Sequence, residues 1–214
     1  TIYAAPNTGK TLLTLWLLRE QIRAKVIEGS KVFYVNADDT YRGAVDKTEM
    51  AEQWGMQMLI PSINGFKVGY ITALMENLAD ADQAKGVVLV LDTLKKFTDL
   101  MDKRAGSAFG VKARGFISAG GTLICLAHTN KHKDADGRGV YSGTSDIVDD
   151  SDCMYIVDKI SSEGDELSHL HTVEFVNKKA RGDVSSTVAF RYTRSTGQSY
   201  GNLLDSVQRI GTGE

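Results

Sequence analysis

The chain has 214 residues, 42% hydrophobic and 24% charged, with a formal net charge of −2 at pH 7. That is the composition of one globular domain with a core large enough to fold unaided, and it excludes a uniformly basic nucleic-acid binder, so any such contact must be local or shared among subunits. Two cysteines, Cys125 and Cys153, form no CxxC pair and read as reduced thiols of a cytoplasmic protein; no membrane-length apolar run and no signal peptide is visible.

In chain order, residues 1–3 read as the end of a strand, and Lys10 and Thr11 open a long apolar helix carrying Leu12, Leu13, Leu15, Trp16, Leu17 and Leu18. Between them, Ala4-Ala-Pro-Asn-Thr-Gly-Lys-Thr11 has the spacing of a Walker A phosphate loop, with Ala4 where the pattern has Gly. A strand that feeds such a loop generally has chain before it, so the sequence is expected to be an excised core or a chain missing its start. Residues 32–35 form a buried strand ending in Asn36-Ala-Asp-Asp39, and 40–54 a helix. Residues 56–60 form a short strand, 61–65 a turn, and Ile71, Leu74, Met75 and Leu78 recur at helical spacing. Residues 87–91, Val-Val-Leu-Val-Leu, are a strand buried on both faces, ending at Asp92.

Beyond it, 95–110 is polar, basic and expected to be mobile, 111–119 helical and closed by Gly120-Gly121, and 122–127 a buried strand ending at His128. Residues 129–152 read as a long functional loop, 154–157 as a short strand, and 169–176 with 187–192 as an antiparallel hairpin joined by 177–186. The tail after Thr193 carries no pattern. The order predicts an α/β fold, a mostly parallel sheet with flanking helices and a C-terminal antiparallel hairpin, in a single domain over 1–214.

In open α/β sheets, sites form outside the carboxyl ends of the strands, and four strand ends here carry polar groups. The loop Ala5, Pro6, Asn7, Thr8, Gly9, Lys10, Thr11 and Leu12 suits the phosphates of ATP, with Lys10 on the terminal phosphates and Thr11 on Mg2+. Asp92, after an apolar run, suits the same metal; the other reading is a cap for the next element. Asp38 or Asp39 could orient or deprotonate the attacking water, or cap the following helix. His128 could sense the γ-phosphate or serve structure only. Lys178, Lys179 and Arg181 are either a solvated cluster or fingers acting on a neighbour's phosphate, which needs a ring or filament. Lys131, Lys133 and Arg138 are either solvated or contacts to a single-stranded nucleic-acid backbone.

These segments together resemble the RecA-type ATPase core, and among its members the RepA-type hexameric helicases of plasmids and mobile elements. The phosphate loop, Tyr34-Val-Asn-Ala-Asp-Asp39, Val88-Leu-Val-Leu-Asp-Thr-Leu-Lys-Lys-Phe97, Leu123-Ile-Cys-Leu-Ala-His-Thr-Asn-Lys131, Tyr141-Ser-Gly-Thr-Ser-Asp-Ile-Val-Asp149 and Val176-Asn-Lys-Lys-Ala-Arg-Gly182 carry the resemblance. It implies a homo-oligomer, a hexameric ring that hydrolyses ATP between subunits and grips single-stranded DNA in its channel. Lys10 and Thr11 would then be the phosphate and metal residues, Asp92 the Walker B acid, Asp38 the acid that acts on water, His128 the sensor, and Lys179 with Arg181 the fingers. This chain has Asp38 where the family has Glu, a side chain one methylene shorter. A recombinase or strand-annealing ATPase, and a nucleotide-switched regulatory ATPase, remain as alternatives, because the core fold does not separate them.

Overall fold

A computed structural model of the chain describes residues 1–61, 63–133, 139–142 and 150–211, the side chains of 131–133 excepted. In chain order the elements are β1 (Ile2–Ala4), α1 (Lys10–Arg23), β2 (Val32–Asn36), α2 (Tyr41–Gln53), β3 (Gln57–Leu59), α3 (Tyr70–Asp80), β4 (Val88–Asp92) and α4 (Lys103–Ser118). They continue with β5 (Thr122–Lys133), β6 (Gly139–Tyr141), β7 (Cys153–Gly164), β8 (Ser168–Ala180), β9 (Thr187–Ser195), α5 (Tyr200–Asp205) and β10 (Gln208–Ile210). The fold is α/β, a mostly parallel central sheet with flanking helices and antiparallel C-terminal strands. Two compact units divide the chain: Thr1–Leu18, His128–Ser142 and Ser151–Glu214 make one, Arg19–Ala127 and Gly143–Asp150 the other.

In the unit built on Arg19–Ala127, β3, β2, β4 and the first half of β5 lie side by side, all parallel. Their register is level: Asn36 pairs with Asp92, and Asp92 with Leu126. Every residue of β4 is buried, as a continuous Val/Leu run flanked by strands on both edges requires. Helix α2 starts at Thr40, whose side chain accepts a hydrogen bond from the Gly43 N–H at 3.2 Å, the arrangement that satisfies an otherwise orphaned donor.

Helix α4 corrects the sequence reading, which placed 95–110 in a mobile segment. A short 3-10 turn covers Leu94–Lys96, and the helix begins at Lys103 because Asp102 accepts from the N–H groups of Arg104 and Ala105. Its buried positions, Gly106, Phe109, Ala113 and Phe116, form one stripe at helical spacing. A β-carbon on Gly121 would lie 2.4 Å from Phe116 Cζ, so glycine follows this helix out of necessity.

In the other unit, β1 runs parallel to β7, with Ile2 opposite Tyr155 and Ala4 opposite Val157. Strands β7, β8, β9 and β10 follow in antiparallel order. Phe190 of β9 is the centre of this packing: its ring is 5.4 Å from Phe175 and 5.6 Å from Trp16 of α1, both edge-on. Such pairs contribute about 1 kcal/mol each beyond their burial. Strand β7 is much longer than the 154–157 read from sequence, since its outer half is mostly exposed and polar and shows no apolar alternation. Strand β5 likewise continues past His128 to Lys133 and pairs with β6, Thr129 opposite Tyr141. The unpatterned tail contains α5, capped by Ser199, and β10.

Candidate nucleotide site

The phosphate loop leaves a buried strand end and enters a helix. Tyr3 and Ala4 are buried, Ala5, Pro6 and Asn7 are exposed, and Thr8 is buried again. Asn7 has φ 61° and Gly9 φ 92°. These left-handed residues curl the chain back onto the N-terminus of α1, a geometry that Gly adopts without cost and Asn tolerates. The Thr8 hydroxyl donates to Ala5 O at 2.9 Å, closing the turn, and Leu13 N–H donates to Gly9 O at 2.8 Å as the helix begins. Lys10 is 8% exposed, its stem packed while its ammonium belongs to the loop. Thr14 donates back to Lys10 O at 2.9 Å. A turn of left-handed residues ahead of a helix N-terminus is a cradle for anionic oxygens.

In the other unit, the ends of β2 and β4 bring the acids to one level of the sheet. Ala37 N–H donates to Asp92 O at 2.6 Å. The Asp92 carboxylate is buried, and its Oδ2 accepts from the Tyr34 hydroxyl at 2.7 Å. The Thr93 hydroxyl donates to Leu126 O at 3.0 Å, tying the segment after β4 to β5. Asp39 accepts from Asn36 Nδ2 at 3.2 Å and from Thr40 N–H at 2.8 Å, and it pairs with Lys47. Burial works to raise its pKa, but the Lys47 ammonium, Asn36 and the Thr40 N–H together outweigh it and hold the carboxyl below its ordinary value. Asp38 forms an ion pair with Lys96 at 3.9 Å and is the more open of the two acids. Thr40, rather than either aspartate, is the cap of α2; Asp39 braces the entry to that helix.

His128 is half-buried on β5, two residues beyond Leu126, within the strand rather than at its end. Lys178 and Lys179 lie on β8, with Lys179 opposite Met154, and only Arg181 belongs to the turn that joins β8 to β9. Arg181 donates its backbone N–H to Asp152 O at 2.7 Å, and its guanidinium pairs with Asp152 Oδ1 at 3.1 Å. Lys131 and Lys133 lie on the last residues of β5; Arg138 lies outside the described residues.

No family model matches the chain and no curated protein is similar to it. Among solved structures it is similar to the ATPase domain of a DnaB-like replicative helicase, with a TM-score of 0.63 over 94% of this chain and 82% of that one, at 15% identity. The chain has the RecA-type fold.

Four residues around this RecA-type core escaped the sequence reading. Tyr34 holds Asp92, Lys47 holds Asp39, Asp152 holds Arg181, and Tyr192 lies against Gly9. Lys47 carried a signal, because it lies on the buried side of α2 with Ala44 and Ala51, where a lysine needs a partner. The other three act across long sequence separations and leave no local pattern.

Proposed function

We propose that this chain is the ATP-hydrolysing core of a motor that acts on single-stranded DNA as a hexameric replicative helicase. The observation that carries the reading is the phosphate loop itself, with left-handed Asn7 and Gly9 between the buried end of β1 and the start of α1. The solved ATPase domain that shares the fold supports it. Lys10 would neutralise the terminal phosphates, and Thr11 would ligate the Mg2+ that accompanies ATP and offsets charge on its oxygens. Asp92 is proposed as a metal residue on the strength of its sequence pattern. Asp38 would take the proton of the attacking water, with Asp39 holding the entry to α2 beside it. His128 would register the γ-phosphate. Lys179 and Arg181 would reach the site of an adjacent subunit, and Lys131, Lys133 and Arg138 would hold the DNA backbone.

The test is the ATPase rate with and without single-stranded DNA, run alongside sizing by light scattering. The expected result is a rate raised by DNA in a preparation whose mass is a multiple of the chain's. A monomer with an unchanged rate would refute the motor.

A further inference from the structure

We propose that Tyr192 is a positioning residue for the phosphate loop, a backstop that holds Gly9 where the loop must stand to receive phosphate. The inference rests on the reading of Ala4–Thr11 as a phosphate loop. A β-carbon built on Gly9 would lie 3.0 Å from both Cε1 and Oη of Tyr192. Tyr192 is 3% exposed, so this contact is made by a ring that is itself fixed. The ring is held from the strand side: Tyr192 is opposite His171 in the β8–β9 register, and their rings are 5.1 Å apart. His169 stacks behind His171 at 5.9 Å and 7° between planes.

Two residues earlier on β9, Phe190 meets Trp16 of α1. The strand therefore grips the loop and its helix at two points, Gly9 before the first turn and Trp16 within the helix. Gly9 is the residue whose carbonyl accepts the helix's opening hydrogen bond from Leu13, and Lys10 follows it directly. Fixing Gly9 thus fixes both the direction in which the first-turn N–H groups point and the start of the Lys10 side chain. A cradle held in its binding geometry spends less affinity on ordering itself.

Glycine is required at position 9 for two separable reasons. Its φ of 92° disfavours any L side chain, and the Tyr192 ring occupies the space a β-carbon would take. The first reason is local; the second exists only while the ring is there.

The experiment is calorimetric titration of the full chain with ATP and with ADP, both with Mg2+, on wild type, Lys10→Ala, Tyr192→Phe, Tyr192→Leu, Gly9→Ala and the Gly9→Ala/Tyr192→Leu double variant. Tyr192→Phe keeps the ring and should bind within about twofold of wild type, whereas Tyr192→Leu should lose about tenfold for both nucleotides, the scale expected when a pre-organised loop must be ordered on binding. The double variant should bind at least about threefold better than the product of the two single effects, since removing the ring relieves the clash at Gly9. Should Tyr192→Leu fail to fold by circular dichroism, Tyr192→Met takes its place with the same expectation. Wild-type affinity in the Leu or Met variant, or strict additivity in the double, would overturn the backstop alone. Equal binding by wild type and Lys10→Ala would overturn the phosphate-loop reading and this proposal with it.

Discussion

Adjacent aspartates at the end of β2 illustrate how surroundings divide labour between identical side chains. The Asp39 side chain is 20% exposed and spoken for: Lys47, Asn36 and the Thr40 N–H converge on its two oxygens. Asp38 faces a single exposed lysine, Lys96, at a distance that water can enter, and an ion pair of that kind is worth about 0–1 kcal/mol. The first is committed to structure, and the second is available for chemistry. The pKa of Asp39 supports this division. Because its folded value is depressed below the ordinary 3.8, its stabilising contribution is present above 3.8 and is lost as pH falls through the lower, folded value. Thermal midpoints measured from neutral pH down to about 3 should therefore fall less steeply in Asp39→Asn than in wild type, because the variant has no proton to take up there. Equal acid slopes in the two proteins would show that Lys47 does not hold Asp39 ionised.

Elements were legible where burial imposes a period and illegible where it does not. Residues 87–91 announced β4 because a strand enclosed on both faces must be apolar throughout. The helix from Lys10 and the one from Thr40 carried their starts in the loop spacing and the capping hydroxyl. The outer half of β7 and the extension of β5 beyond His128 are held by backbone ladders rather than apolar faces, and their polar side chains resemble loop. The start of α4 was hidden because Lys103 and Arg104 are solvated, and only the Asp102 cap marks it. The same blindness affected the β8–β9 turn. Taken as a ten-residue loop, it is in fact a tight tip after Ala180, so that Lys179 sits on a strand and Arg181 just beyond it.

That rigidity matters for the proposed fingers, since a cation on a strand end is aimed whereas one on a long loop is not. Arg181 is already engaged by the exposed Asp152, a pair weak enough for a phosphate to replace. Arg181→Ala should thus shift stability by less than about 1 kcal/mol while lowering turnover by about a thousandfold or more, the range for a trans-acting arginine. Mixing it with Lys10→Ala should restore activity above either alone, because intact sites would then meet intact fingers; a mixture no better than its components would place Arg181 outside any neighbour's site.

At the scale of the whole molecule, charge sets the terms of partnership. A net charge of −2 gives no general attraction for a polyanion, so the affinity of one chain for single-stranded DNA must come from few contacts. Lys131, Lys133 and Arg138 are three cations near one arm of the fold. Each backbone phosphate neutralised on a single strand contributes about −0.7 to the slope of log K against log salt, so three give about −2 per chain. A ring in which several subunits touch the same strand would add their contacts, and the slope would steepen with the number engaged. Equilibrium binding of an oligothymidine, measured by fluorescence anisotropy over a range of salt, should thus give a slope of about −2 or steeper. The Lys131→Ala/Lys133→Ala/Arg138→Ala variant should flatten it while leaving nucleotide affinity at the phosphate loop unchanged. Binding that ignores salt, or a slope unaltered in the triple variant, would move the DNA contact elsewhere on the surface; loss of nucleotide affinity along with DNA affinity would mean that the substitutions had damaged the fold rather than the grip.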